Sequence, residues 1–286
     1  MNFATKELEV LADGYLFTEG PLWDPRAERL LFSDIPGNLI AQWSAASGKA
    51  VFRAPSNKAN GLAWDRQGRL LACEHATSRL TRTEADGKIT VLASTYQGKE
   101  LNSPNDVVVK SDGGIYFTDP TYGRLDYYGV KRDPQLGFRG VYRAEPDGRA
   151  LRLLADDFGQ PNGLCFSPDE KRLFVNDTER MHIRAFDVQP DGTLGKSKVW
   201  ATLSGEGPGA PDGMKLDSAG SLYCCGPGGI HVLDGEGNAR GLINVPGGAA
   251  NFTWGEKDRR SLFITAGGTL FRLRVAVPGR AALPAP

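Results

Sequence analysis

A short apolar hairpin with a side-chain oxygen at its mouth recurs six times along the chain, and no other feature constrains the fold as tightly. The clearest copy lies between Asn102 and Gly123. There Asn105 and Asp106 precede the β-branched run Val107 to Val109, a Ser111-Asp-Gly-Gly turn follows, and a second apolar run, Ile115 to Phe117, returns. Further copies open at Glu19 (Glu-Gly-Pro-Leu-Trp-Asp), Asn60 (Asn-Gly-Leu-Ala-Trp-Asp), Asn162 (Asn-Gly-Leu-Cys-Phe-Ser), Asp212 (Asp-Gly-Met-Lys-Leu-Asp) and Asn251 (Asn-Phe-Thr-Trp). The openings stand 41, 45, 57, 50 and 39 residues apart, close to the roughly 40 to 50 of a four-stranded propeller blade.

Between the hairpins lies a second recurring pair of apolar runs, each turning on Asp-Gly, as at Asp86-Gly and Asp147-Gly. Each repeat therefore carries four strands. The last repeat runs out after Thr269 to Val275, while the chain begins with a spare strand, Leu8-Glu-Val-Leu-Ala-Asp. The reading is an all-β, six-bladed propeller whose N-terminal strand completes the last blade and leaves no open edge. Residues 1–286 read as one domain, since a ring has no separable cores, with a frayed Pro- and Ala-rich tail from Val277. The 36 glycines suit a chain built of turns.

Lys plus Arg and Asp plus Glu number 34 each, so nothing in the charge balance favours nucleic acid or an anionic membrane as partner. The start of the chain has neither a basic stretch nor a long apolar one, and no run approaches the roughly 20 residues of a membrane span. A cytoplasmic protein is the expectation. Cys73, Cys165, Cys224 and Cys225 all fall in inner-hairpin strands without zinc-knuckle spacing and read as buried thiols. Trp23, Trp64 and Trp254 recur at equivalent inner-strand positions and read as packing between blades.

If every inner strand starts at the same end of the central channel, Glu19, Asn60, Asn105, Asn162, Asp212 and Asn251 converge there. All six carry carbonyl or carboxylate oxygen, a donor set for a hard divalent cation. An Asx turn explains any one Asn or Asp before a strand. It does not explain Glu19, nor six polar groups in one narrow tunnel.

These residues carry a resemblance. Phe17-Thr-Glu-Gly-Pro-Leu-Trp, Ala59-Asn-Gly-Leu, Leu101-Asn-Ser-Pro-Asn-Asp-Val-Val-Val, Tyr116-Phe-Thr-Asp-Pro-Thr-Tyr-Gly, Pro161-Asn-Gly-Leu and Pro211-Asp-Gly-Met are similar to motifs of the SMP-30/gluconolactonase/luciferin-regenerating-enzyme family. The likeness spans essentially the whole chain and is greatest to bacterial sugar lactonases. It implies a single metal held by Glu19, Asn162 and Asp212, with Asn105 completing the set directly or through water and Asp106 behind it. Calcium is the first expectation, with zinc, manganese and iron also used in the family. Asn60, Asn102, Ser103, Tyr122, His75 and Asn251 become supporting or substrate-facing groups.

The implied reaction is hydrolysis of a gluconolactone-like aldonolactone to its aldonic acid by a monomer or dimer. Asp212 is the candidate to orient or deprotonate water, which requires one of its oxygens to stay free of the metal; otherwise hydroxide on the metal is the base. A metal-dependent esterase or organophosphate hydrolase and a non-catalytic interaction platform remain alternatives on this scaffold. Some animal relatives carry an Arg where this chain has Ser103, which removes one polar clamp. The longest repeat interval holds Asp119 to Gly140, with Tyr122, Tyr127, Tyr128, Phe138, Arg124, Lys131 and Arg132, and reads as a lid or a long surface loop. His75 reads either as facing the mouth from the second blade or as a satisfied structural histidine; His182 and His231 read as structural.

Overall fold

Each blade folds as a four-stranded antiparallel sheet, its apolar runs joined by short turns except at the long loop between Asp119 and Gly140 and at the outer strand of blade 6, which comes from the start of the chain. The computed structural model describes residues 3–4 and 6–280. From the tunnel outward, blade 1 is Thr18–Asp24, Arg29–Asp34, Leu39–Ser44 and Gly48–Arg53, and blade 2 is Ala59–Trp64, Leu70–Glu74, Arg79–Thr83 and Ile89–Ala93. Blade 3 is Val107–Val109, Ile115–Asp119, Gly140–Ala144 and Leu151–Ala155; blade 4 is Pro161–Phe166, Arg172–Asp177, His182–Val188 and Leu194–Thr202. Blade 5 is Met214–Leu216, Leu222–Gly226, Gly229–Leu233 and Ala239–Asn244. Blade 6 takes Asn251–Gly255, Ser261–Ala266 and Thr269–Arg274 from the end of the chain and Glu9–Ala12 from its start. That N-terminal strand runs antiparallel to the third, with Val10 opposite Phe271.

The recurring glycine after the mouth residue has a cause that lies between blades rather than within a turn. A Cβ on Gly20 would strike the Asn60 carbonyl, one on Gly61 the Asn105 carbonyl, one on Gly163 the Asp212 carbonyl, and one on Gly213 the Asn251 side chain. Each glycine is thus the point where one inner strand rests on the next. The Gly61 N–H donates to the Asn105 carbonyl at 2.8 Å across the same contact. In blades 1, 2 and 4 the ladder register also shifts there, between Glu19 and Leu22, Ala59 and Leu62, and Pro161 and Leu164. Such bulges turn the mouth residue out of the ladder and toward the channel.

Aromatic side chains fill the wedges between blades. Trp23 stacks on Phe263 at 5.3 Å between blades 1 and 6, Tyr223 meets Trp254 edge-on at 5.1 Å between blades 5 and 6, and Tyr116 meets Phe166 at 5.0 Å between blades 3 and 4. The Trp64 indole donates to the Trp23 carbonyl at 2.9 Å. Trp23, Trp64 and Trp254 are all buried, as are the four free cysteines.

The tail differs from the sequence reading over its first residues. Residues 277–280 are docked: the Ser218 N–H donates to the Pro278 carbonyl, the Gly279 N–H donates to the Arg259 carbonyl at 2.8 Å, and Gly279 lies flat against Trp254. Only a residue without a side chain passes that indole so closely. The rest of the tail, residues 281–286, lies outside the described residues. Among the described residues no helix is long and apolar enough to cross a membrane.

Candidate active site

The second strand of several blades ends in an acid that collects the N–H groups of the segment entering the inner strand. The Asp34 carboxylate accepts from Leu16 and Phe17, Asp119 from Asn102 and Ser103 at 2.8 and 2.7 Å, and Asp177 from Gly159 and Gln160 at 2.8 and 2.9 Å. These charge-assisted bonds fix where each inner strand begins, and so where each mouth residue points.

The mouths converge as expected for five of the six. Glu19, Asn60, Asn105, Asn162 and Asp212 line a pocket of about 160 Å³ together with Phe17, Ile35, His75, Tyr122, Tyr128 and Thr178. Asn251 lies deeper. Its Nδ2 donates to Glu19 Oε2 at 3.0 Å, while its Oδ1 accepts from Lys215 Nζ and the Phe252 N–H, both at 2.8 Å. It therefore holds Glu19 rather than facing the pocket. Asp106 also turns inward, its Oδ1 accepting the Val107 N–H at 2.9 Å.

Asn102 and Ser103 are not among the lining residues. Asn102 Nδ2 donates to the Asp119 and Phe138 carbonyls, and Ser103 Oγ joins the Pro120 carbonyl to the Gly123 N–H, so both brace the long loop instead. Within that loop Tyr122 and Tyr128 reach the pocket. Phe138 packs on Tyr96 at 6.4 Å, and Arg124 and Arg132 bind Glu100, which places those three in the loop's footing.

Burial controls the electrostatics. Glu19, 4% exposed, is pushed up to about 7 by loss of water and by the nearby Asp106, against the pull of the Gly20 N–H and Asn251. Asp212, partly open to the pocket, is held well above the usual carboxylate range by burial, by Glu19 and Asp106, and by a hydrogen bond to the Glu19 carboxyl. Two acids this close share a proton unless a cation separates them.

Asn162 Nδ2 donates to Thr178 Oγ1 at 3.1 Å, leaving its carbonyl oxygen free of that residue, and the Asn105 side chain lines the same wall. Among the described residues no three His, Cys, Asp or Glu side chains cluster as a cation cage. The donors at this mouth are instead two carboxylates and three amides, those of Asn60, Asn105 and Asn162. Hard oxygens with a surplus of negative charge suit a divalent cation such as calcium. The fit is one of charge and donor chemistry. Two larger depressions, of about 630 Å³ beside Trp43 and Arg274 and about 470 Å³ at the opposite end of the tunnel, also hold acids, but Glu256 and Asp258 in the first are paired with Arg274, and Asp65 and Glu170 in the second with Arg69 and Lys110.

His75 lies inside the wall. Burial, and secondarily the Lys58 charge, lowers it to about 4, although the Tyr128 carbonyl favours its proton. Phe17, Ile35, Thr178 and Lys215 escaped the sequence reading as site residues. A usable signal existed for two of them. Ile35 and Thr178 directly follow the strand-ending acids Asp34 and Asp177, as His75 follows Glu74.

Residues 17–268 match the pattern of the SMP-30/Gluconolactonase/LRE-like region. The chain is 32% identical over 297 aligned residues to the gluconolactonase of Zymomonas mobilis, covering 95% of this chain and 82% of that protein. Among solved structures, a gluconolactonase from Xanthomonas campestris superposes with a TM-score of 0.86 at 39% identity, over 94% of this chain and 89% of that one. A calcium-binding regucalcin from Agrobacterium tumefaciens has a TM-score of 0.79 at 23% identity, over 95% of each chain, which is a likeness of fold.

Proposed function

This chain belongs to the SMP-30/gluconolactonase/LRE-like family, and from that premise we propose that it is a lactonase opening a gluconolactone-like aldonolactone to the aldonic acid. The observation that supports this most is the Glu19–Asp212 pair, Glu19 buried and Asp212 partly open, which lines a pocket of about 160 Å³ together with Asn105 and Asn162. Residues 1–286 act as one domain, in the cytoplasm, as a monomer or dimer.

Glu19, Asn105, Asn162 and Asp212 would hold the divalent ion, calcium in the first instance. When bound, it supplies Lewis-acid polarisation of the lactone carbonyl and charge to balance the oxyanion. Phe17, Ile35 and Tyr128 shut bulk water away from the reacting carbonyl. Asp212 takes a proton from the attacking water on the carboxylate oxygen left free for it. The acyl carbon to ring-oxygen bond then breaks, and Asp212 returns that proton to the departing oxygen, which becomes the aldonate's hydroxyl. Asn251 and the Gly20 N–H hold Glu19 still throughout.

The test is proton release from aldonolactones by protein stripped of metal and then given calcium, zinc, manganese or iron(II) singly, against a no-enzyme control. Asp212→Asn should lower turnover at least ~100-fold while leaving the fold intact. Near-wild-type turnover in a metal-loaded variant would remove Asp212 as the base. The apolar wall of Phe17, Ile35 and Tyr128 favours a metal-dependent esterase as the second reading. Aryl acetates in the same panel separate the two.

A further inference from the structure

Lys58 and His75 together capture four successive main-chain carbonyls of the long loop between Asp119 and Gly140. Lys58 Nζ donates to the carbonyls of Asp126, Tyr127 and Gly129 at 3.0, 3.2 and 3.0 Å, and His75 Nδ1 donates to the Tyr128 carbonyl at 3.1 Å. The two residues sit side by side at the mouth of blade 2, where the His75 N–H donates to the Lys58 carbonyl at 3.2 Å. Their grip is on backbone, so it leaves the loop's side chains free. Tyr127 Oη reaches across to the Leu16 carbonyl at 3.2 Å, and Tyr128 packs edge-on against Phe17 at 5.2 Å, above the pocket that both rings line or border.

The position of Lys58 is enforced by its surroundings. Asn57 and Lys58 both adopt left-handed backbone, with φ of 56° and 53°, a conformation costing non-glycine residues of order 1 kcal/mol or more each. Asn38 Oδ1 accepts the Lys58 N–H at 2.8 Å, and Asn57 Nδ2 donates to Glu74 Oε2 at 3.2 Å. A strained pair kept in place by named partners, with its ammonium seated among three carbonyls, is a built contact. On the far side of the same turn, Gly129 packs directly on the Gly123 backbone, leaving no room for a side chain between the two arms of the loop. The turn is thus footed on Glu100 through Arg124 and Arg132 and seated on blade 2 through Lys58 and His75.

We propose that Lys58 and His75 form a carbonyl clamp that seats residues 126–129 on blade 2 and so holds Tyr128 closed over the bound lactone, with Lys58 as a positioning residue for substrate retention. The inference rests on the lactonase reading for its substrate, and on the loop contacts alone for the clamp. Releasing three charge-assisted bonds shifts the loop toward open forms, and affinity falls with the closed fraction. Chemistry at Asp212 lies across the pocket and is untouched.

The experiment compares wild type, Lys58→Met and Lys58→Arg by limited trypsin digestion at Lys131 and Arg132 and by kinetics on glucono-1,5-lactone. Lys58→Met is expected to speed loop cleavage at least ~10-fold and raise KM about 5- to 20-fold with kcat within about 3-fold, and Lys58→Arg to recover most of both. Wild-type cleavage and KM in Lys58→Met would overturn the clamp, as would a fall in kcat at constant KM accompanied by a lower melting temperature. If the wild type turns over no lactone at all, the lactonase reading fails, and the cleavage rates alone still decide the clamp.

Discussion

Asn60 carries a buried carbonyl oxygen with no hydrogen-bond donor among the described residues, and its orientation is fixed by its neighbours. His75 Nδ1 stands 3.1 Å from the Tyr128 carbonyl, which only an N–H can satisfy. Burial keeps the ring neutral, so its Nε2 bears a lone pair, and the Asn60 group 3.4 Å away must be the Nδ2 donor. The Asn60 oxygen is then committed as an acceptor. Nitrogen-15 spectra of labelled protein should show His75 protonated at Nδ1 and bare at Nε2 from pH 6 upward; a proton on Nε2 would reverse the Asn60 assignment. The same burial sets a pH dependence. Folded His75 titrates near 4 against 6.5 for the free ring, so between those values the unfolded chain binds more protons. Its contribution to stability is complete above about pH 6.5 and is lost as pH falls toward 4. Wild type should therefore lose stability relative to His75→Phe over that window, at up to roughly 1.4 kcal/mol per pH unit. Parallel profiles in urea melts would contradict the buried neutral ring.

At the scale of the inner strand, the mouth glycines decide the geometry. Gly163→Ala would drive a Cβ into the Asp212 carbonyl, and neither backbone can yield, so a loss of about 2–3 kcal/mol or more and weakened cation binding are expected. Gly235→Ala, at a turn with open space around it, should change stability by less than about 0.5 kcal/mol. Equal effects in the two, measured by denaturant melts, would show that strand contact is not what the Asn-Gly and Asp-Gly pairs provide. These pairs also mark how far the chain could be read. Six repeats of an apolar hairpin reveal the blade count because strand periodicity is local, and five mouth residues could be placed because they occupy one position of that repeat. The role of Gly163 could not be read, since its steric partner lies in the next blade. Lys58 was equally hidden, being ordinary loop chemistry until residues 68 to 71 positions later fold back onto it.

Ring closure belongs to the whole molecule. The described termini meet near blade 6, where Glu9–Ala12 supplies the outer strand, the Arg272 guanidinium grips Glu9 at 2.7 Å, and residues 277–280 cross from Trp254 to Asp217 of blade 5. A closed ring holds its six mouths at fixed mutual distances, which is what lets Glu19 of the first blade and Asp212 of the fifth share one site. Removing residues 1–12 would strip the last blade to three strands and bare the Thr269–Arg274 edge, with Leu270 and Phe271 newly uncovered along it. An exposed strand of that kind pairs with other chains. The truncated protein is expected to lose about 3 kcal/mol or more, given several ladder hydrogen bonds and the packing of Ala12, and to associate in light scattering. Because that strand also ties the start of blade 1 to blade 6, its loss should loosen a seam then held by Trp23 on Phe263 and the Thr18–Gly267 bond, and cation affinity at the Glu19–Asp212 pair should fall with it. A truncated chain that stays monomeric and binds the ion as tightly as the full one would mean that the inner strands alone hold the ring, and that the outer strand of blade 6 serves only its own edge.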